Sequence, residues 1–220
     1  MKRRPATISF WTGRLPHWEV EGGRYFITLH LAGAIPAAGR TKLRRLAEQL
    51  RQFKTAQAPE WLRLQRAIFG EMERWLDDAR WNPHLQRRDV AEMVADAIEH
   101  RRERGDWQMH DYVVMPTHVH LFCEFGVRGL KATMEDFKRW TGHRAMELMA
   151  RSRPAGDSER SRPADGTYGG TNRFWQREWF DHWSRSDEED ERIAIYIRRN
   201  PEKAGLVKDY REWSPGSWSK

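Results

Sequence analysis

Short apolar runs separated by turn-forming residues give the chain its clearest structural signal. Runs at residues 24–31, 107–115 and 118–125 are rich in Val, Leu, Phe and Tyr and are bounded by Gly or Pro. Branched and aromatic side chains favour extended backbone, so each run predicts a β-strand. Only two residues separate the second run from the third, which predicts a hairpin. Residues 174–183 predict a further strand or extended segment.

The region from about residue 41 to residue 104 repeats its apolar positions at the spacing of an α-helix. Proline cannot continue a helix interior, so Pro59 and Pro83 divide this region into three helices. The third has its apolar stripe at Val90, Met93, Val94, Ala97 and Ile98. Gly105 follows and ends it, because glycine readily adopts the left-handed backbone found after helices.

Two more helices follow the predicted hairpin. The first has an apolar seam at Leu130, Met134, Phe137, Thr141, Ala145 and Met149. The second begins with Ser186 as N-cap and Glu189 three residues later, which is a capping box. The buried stripe of this last helix is Ile193, Tyr196, Ile197 and Asn200. A buried amide needs a polar partner, since leaving it unsatisfied costs roughly 1–3 kcal/mol.

The order of these elements predicts an α+β fold, a ferredoxin-like antiparallel sheet with the split βαβ arrangement. We expect a single domain over residues 1–220, with a helical insert at residues 41–105 and a C-terminal catalytic helix. Residues 151–170 are rich in Ser, Arg, Pro, Asp and Gly and nearly repeat themselves. Such a composition cannot bury a core, so we expect a flexible loop there.

The charge balance favours a polyanionic partner. The chain carries 39 Lys and Arg against 32 Asp and Glu, a net charge of +7, and its pI is near 9.8. This excess is modest and is also what solubility alone requires. The 12 Trp are many for 220 residues, and several lie beside basic residues, a mixture that stacks bases and binds phosphates. Most indoles are nevertheless expected in the core.

Cysteine usage and hydropathy favour the cytoplasm. Cys123 is the single cysteine, which excludes a disulfide framework and a cysteine zinc cluster and fits a reducing compartment. The N-terminus has basic residues without an apolar run behind them, so no signal peptide is predicted. No segment is long and apolar enough to cross a bilayer, so no membrane partner is expected.

His118 and His120 are the first candidates for chemistry. Residues two apart in a strand point to the same face, so the two imidazoles lie side by side. The same spacing also occurs in hydrogen-bonded sheet histidines and is weak evidence for a metal by itself. Asn200 can supply an oxygen ligand, although Asn before Pro201 is also typical of a helix C-terminus. Two imidazoles and an amide with open positions suit Mg²⁺ or Mn²⁺.

Tyr196 lies one helical turn before Asn200, on the same face of the last helix. Of the five tyrosines it alone shares a helix face with a potential ligand. A phenol with a pKa near 10 is scarcely ionised at pH 7, so it needs a divalent ion that polarises the phosphate it attacks. The arrangement suits attack of Tyr196 on a phosphodiester through a phosphotyrosine intermediate.

Several segments carry a resemblance to a known family. Residues 115–120, Met-Pro-Thr-His-Val-His, resemble the histidine–hydrophobic–histidine motif of HUH endonucleases. The segments that resemble REP-associated tyrosine transposases, which are single-tyrosine members of that group, are residues 14–18, 174–182, 196–207 and 210–214. Together the resemblance covers about residues 14–215.

The resemblance implies a transposase-like single-strand DNA endonuclease that cuts and rejoins hairpin or palindromic elements. It implies Tyr196 as the nucleophile, His118, His120 and Asn200 as metal ligands, and Mg²⁺ or Mn²⁺ as the cofactor. The expected partner is single-stranded or hairpin DNA, in the cytoplasm with the nucleoid. Relatives include domain-exchanging dimers and monomers, so both a monomer and a homodimer stay open.

Basic residues on and near these segments are candidates for DNA contacts. They are Lys131, Lys138, Arg139 and Arg144 on the helix after the hairpin, and Arg177, Arg198 and Arg199 near the site. Phosphate contact and ordinary solvation are equally good interpretations of each. Asp181 and His182 can orient the site as outer neighbours of the ligands, or can simply end a strand.

Two alternatives stay open. One is a replication-initiator or relaxase-like HUH nickase, although such relatives often carry a second tyrosine near the first or fused helicase segments, and neither is found here. The other is a non-catalytic regulator that binds hairpin DNA. The full set of candidate ligands argues against that regulator.

Overall fold

A computed structural model gives the fold of residues 3, 5–53, 59–78, 81–151 and 173–218. The flexible loop predicted at residues 151–170 lies outside the described residues, apart from Arg151 at the end of a helix. Within the described part of the chain, no helix combines the length and the apolar character needed to span a membrane.

The described residues form six strands and five α-helices. The strands are β1 (Thr7–Thr12), β2 (Pro16–Val20), β3 (Arg24–His30), β4 (Trp107–Val114), β5 (His118–Phe125) and β6 (Phe180–Trp183). The α-helices are α1 (Ala37–Leu50), α2 (Pro59–Leu76), α3 (Arg88–Glu103), α4 (Gly129–Arg151) and α5 (Asp187–Lys203). Short 3₁₀ turns lie at His84–Gln86 and Tyr210–Glu212.

The central sheet has the strand order β4-β5-β3-β6, and every neighbouring pair is antiparallel. The strand β5 therefore lies between β3 and β4, which are joined by the helical insert. This is the split βαβ arrangement, so the predicted ferredoxin-like α+β fold is confirmed. The register places Thr28 opposite His120 and His30 opposite His118.

The two faces of this sheet are covered by different helices. Trp107 of β4 pairs with Phe125 of β5, and its ring packs 5.4 Å from that of Phe137 in α4. Val119, Leu121 and Cys123 of β5 lie on that face and are fully buried. His118 and His120 point to the opposite face, which α2 and α5 cover. The candidate site is thus enclosed between the sheet and these two helices.

The end of α5 differs from one prediction. The interpretation of Asn200 as a helix C-terminus is wrong, because α5 continues through Pro201 to Lys203. Proline removes one hydrogen bond from the last turn, but the N–H of Ala204 still donates to the carbonyl of Asn200. Asn200 therefore lies inside the helix, with its side chain buried. The predicted N-cap, Ser186, is confirmed and accepts a hydrogen bond from the N–H of Glu189.

A two-stranded sheet of β1 and β2 was not predicted. In β1 polar residues alternate with apolar ones, and its apolar residues Ile8 and Phe10 are exposed. The strand therefore lacks the continuous apolar run that marks the strands of the core. The partner strand β2 carries Trp18, whose ring meets Trp61 of α2 edge-on at 5.3 Å. Contacts with the rest of the fold therefore stabilise this hairpin more than the hydrophobic pattern of its two strands does.

Candidate functional site

His118 and His120 lie side by side on β5, because side chains two positions apart in a strand point to the same face. Both side chains are fully buried, with 0% of their surface exposed. Their ring centroids are 4.6 Å apart, and the two Nε2 atoms are 3.1 Å apart. Two neighbouring ligands of an octahedral ion with bonds of about 2.1 Å would be about 3 Å apart. The pair therefore has the spacing of two cis ligands.

Hydrogen bonds of two threonines orient the imidazoles. The hydroxyl of Thr117 donates to the carbonyl of Leu76 at 2.9 Å, so it must accept from Nδ1–H of His118, which lies 3.0 Å away. That tautomer leaves the Nε2 lone pair of His118 free. The hydroxyl of Thr28 lies 3.0 Å from Nδ1 of His120 and can hold this ring in the same way.

Both imidazoles are neutral at pH 7. Burial lowers the pKa of His118 well below its usual value, and the neighbouring His120 lowers it further. Burial also lowers the pKa of His120, to about 3. Neutral imidazole is the form that binds metal ions, so the pair needs no deprotonation before it can accept one.

Glu73 of α2 completes a cluster that the sequence did not predict. One ligand atom from each of Glu73, His118 and His120 lies within 4.8 Å of the others, and Glu73 Oε2 is 3.6 Å from His120 Nε2. The carboxylate is buried, and burial raises its pKa. One signal in the sequence was available, because Glu73 occupies the apolar stripe of α2 between Phe69 and Leu76.

Asn200 lies fully buried on α5, and neither its Oδ1 nor its Nδ2 has a hydrogen-bond partner among the described residues. Its amide is nevertheless near enough to Glu73 to favour the charged form of that carboxylate. The other oxygen of Glu73, Oε1, likewise has no hydrogen-bond partner within the described part of the chain. Each buried polar atom without a partner destabilises the fold by roughly 1–3 kcal/mol. A ligand that binds such atoms removes this penalty, and its binding free energy becomes more favourable by a similar amount. These residues therefore fit a divalent cation.

Tyr196 of α5 lies against this cluster. Its hydroxyl donates a hydrogen bond to Glu73 Oε2, and its ring centroid is 5.5 Å from that of His120. Lys203 lies nearby, with Nζ 5.4 Å from the centroid of the Tyr196 ring and 3.8 Å from Glu73 Oε2. The fold thus brings the tyrosine and the histidines together from two distant parts of the chain.

Asp181 and His182 of β6 make their contacts elsewhere. Asp181 bonds to Nδ1 of the buried His17, whose Nε2 lies 3.4 Å from Glu178. Burial lowers the pKa of His17, but these two carboxylates outweigh it and raise the pKa to about 9. His182 bonds to Gln65 at 2.7 Å and to Glu189 at 3.0 Å. Neither residue is seen to bond to the histidine pair.

Three of the basic candidates meet in one cleft of about 620 Å³. Lys138, Arg139 and Arg177 line it together with Trp11 and Trp179. The ammonium of Lys138 lies 5.0 Å above the Trp179 ring and donates to the carbonyl of Arg177 at 2.5 Å. Burial lowers the pKa of Lys138 to about 8. The cleft also contains Arg173, which the sequence analysis did not single out.

Within the cleft, Arg139 is paired with Asp136 at 2.6 Å. The other basic candidates are likewise held by acidic neighbours or lie at the edge of this cleft. Lys131 lies 5.9 Å from the ring centroid of Trp11. Arg144 pairs with Glu147 at 2.7 Å, Arg198 with the buried Asp111 at 2.7 Å, and Arg199 with Glu202 at 3.1 Å. The Arg198 pair joins α5 to β4 and so has a clear structural role.

Comparisons with known proteins agree with the fold. No protein-family model and no curated protein matches the chain. A solved structure, a REP-associated tyrosine transposase bound to a REP hairpin, superposes with a TM-score of 0.51 over 94% of this chain and 84% of that chain. The two sequences are 14% identical, so the similarity is one of fold.

Proposed function

We propose that this chain is a metal-dependent single-strand DNA endonuclease of the transposase type, with Tyr196 as its nucleophile. The observation that supports this most directly is the hydrogen bond from the Tyr196 hydroxyl to Glu73, a member of the cluster with His118 and His120. The fold similarity to a transposase bound to a REP hairpin agrees with it. Such a role corresponds to a cytoplasmic, nucleoid-associated protein.

His118, His120, Glu73 and Asn200 are the proposed ligands of the metal, and Mg²⁺ or Mn²⁺ is the proposed ion. Oxygen donors and neutral imidazoles with open positions suit these ions. When bound, the ion supplies Lewis acidity to the phosphate and positions its oxygens. Glu73 was not among the ligands expected from the sequence, and it enters the set through its position next to His120.

The protein residues supply the nucleophile and its activation. Glu73 accepts the hydrogen bond of the Tyr196 hydroxyl, so it is placed to take that proton as the oxygen attacks phosphorus. One P–O ester bond breaks as the tyrosine–phosphorus bond forms, and the departing strand end leaves as a hydroxyl after protonation. The phosphotyrosine retains the bond energy, so a strand hydroxyl can reverse the step and rejoin the DNA.

Hairpin or single-stranded DNA is the proposed partner. The cleft with Lys138, Arg139 and Arg177 combines cations with two tryptophan rings, which suits phosphates and unpaired bases. Lys131 can extend this surface along α4. Arg139 is paired with Asp136, and the remaining candidates Arg144, Arg198 and Arg199 are also paired with carboxylates. These four are weaker candidates for phosphate contact than Lys138 and Arg177.

The test is covalent adduct formation. The protein is incubated with labelled single-stranded hairpins in Mg²⁺ or Mn²⁺, and a denaturing gel is used to detect DNA that stays attached. We expect an adduct that Tyr196→Phe abolishes while hairpin binding stays within about twofold. Adducts that persist in Tyr196→Phe would assign the nucleophile to another residue. Hairpin binding without any cleavage would favour the non-catalytic regulator instead.

A further inference from the structure

A second cavity of about 320 Å³ opens directly beside Tyr196. Phe26, Phe69 and Phe180 line it, and Phe69 and Phe180 lie 5.4 Å apart between centroids with their planes tilted by 31°. Ile193, one turn before Tyr196 on α5, forms another part of the wall. The walls are therefore apolar and aromatic, and the cavity is large enough for a flat heterocycle.

A fixed row of polar groups forms one side of this cavity. Gln65 Oε1 bonds to Nδ1 of His182 at 2.7 Å, and Nε2 of His182 bonds to Glu189 at 3.0 Å. Gln65 Nε2 donates to the carbonyl of Asp181 at 2.8 Å. These bonds hold the groups in place before any ligand arrives, which lowers the entropy cost of binding.

Two arginines line the solvent-exposed side of this cavity. Arg66 of α2 and Arg192 of α5 are exposed and line the cavity. No hydrogen bond or ion pair links either guanidinium to another described residue, unlike Arg198 and Arg199 on the same helix α5. Arg192 interacts electrostatically with the Glu188 carboxylate, but both guanidinium groups are exposed. Exposed guanidinium groups around an aromatic slot suit a ligand that combines a planar base with phosphate charge.

We propose that this cavity binds one unstacked nucleobase of the DNA strand, next to the phosphodiester that Tyr196 attacks. The base packs against the aromatic wall that the three phenylalanine rings form, and Arg66 and Arg192 contact the neighbouring phosphates. The inference rests on the proposed function. It adds that the base bound in this cavity helps to determine which phosphodiester of the strand is cut. Stacking of a base on aromatic side chains contributes roughly 5- to 150-fold in affinity.

The test compares a variant that fills the cavity with a matched control. Ile193→Trp places an indole in the cavity, whereas Ile195→Trp changes a residue of the same helix that is 54% exposed and does not line it. Circular dichroism and thermal unfolding verify that both variants fold. The ligands are hairpins with single-stranded arms in which each arm base in turn is replaced by an abasic site. Their binding is measured by fluorescence anisotropy without divalent ions.

We expect one arm position at which the abasic site weakens binding at least fivefold in the wild type and in Ile195→Trp. In Ile193→Trp the same replacement should change binding less than twofold, because the base no longer enters. Absence of such a position in the wild type, or an unchanged dependence in Ile193→Trp, would overturn the proposal. The binding assay needs no cleavage, so base dependence without any covalent adduct would remove the proposed function and leave the base site standing.

Discussion

The hydroxyl of Tyr196 donates a hydrogen bond to the carboxylate of Glu73, which precedes it by 123 positions in the chain. The contact joins α5 to α2, and α2 belongs to the helical insert between the first two strands of the central sheet. Glu73 also lies 3.6 Å from His120. The insert therefore supplies a functional side chain to the site as well as covering the sheet.

Replacement of Glu73 tests its place in the metal site. We expect Glu73→Gln to weaken Mn²⁺ binding tenfold or more, because a charged oxygen ligand is replaced by a neutral amide. Isothermal titration calorimetry measures the affinity. Glu60→Gln, on the exposed first turn of the same helix, is the matched control and should bind Mn²⁺ as the wild type does. Equal affinities in all three proteins would remove Glu73 from the ligand set.

Asn200 should limit stability when no metal is present. Because its buried amide finds no hydrogen-bond partner among the residues that the structure describes, Asn200→Leu is expected to raise the free energy of unfolding by about 1–2 kcal/mol in EDTA. Addition of Mg²⁺ or Mn²⁺ should raise the free energy of unfolding of the wild type. The increase should be smaller in Asn200→Leu, because the variant lacks one of the proposed ligands. Urea unfolding in both conditions measures this. A variant less stable than the wild type in EDTA would show that Asn200 has a partner in solution.

The His17 pair with Asp181 predicts a pH dependence of stability. The folded-state pKa of His17 is raised to about 9, so its contribution is complete below about pH 6.5 and is lost as pH rises through about 9. The loss can reach about 3 kcal/mol. Lys138 acts oppositely, since its lowered pKa of about 8 makes the fold relatively more stable as pH rises.

Comparison with His17→Gln isolates the histidine, because both proteins retain Lys138. Urea unfolding at pH 6 and pH 9.5 should show a stability difference between wild type and variant that shrinks at the higher pH. A difference that stays constant across this range would mean that folding does not raise the pKa of His17.

The cationic cleft should be detectable through the salt dependence of hairpin binding. Arg177→Ala should weaken binding and lower the slope of log affinity against log salt by about 1, since it removes one phosphate contact. Arg144→Ala, which removes a residue paired with Glu147, should leave the slope unchanged. Fluorescence anisotropy over a salt series gives the slopes. Identical slopes in all variants would place the DNA on another surface.

Features that depend on local geometry could be predicted from the amino-acid order. His118 and His120 share a face because side chains alternate along any strand, whatever the fold around it. Tyr196 and Asn200 share a face because a helix turns once in 3.6 residues. The cap at Ser186 and the strand order of the sheet followed from equally local signals and from the few ways such elements connect.

Features that depend on contacts between distant segments emerged only when the chain was folded. Glu73 reaches the histidines because α2 packs across the sheet, and nothing local fixes that packing. Lys138 and Arg177 meet in one cleft for the same reason, while Arg198 is drawn to Asp111 on β4. Burial and partner choice depend on the whole surface that encloses a side chain, and short-range periodicity carries no information about that surface.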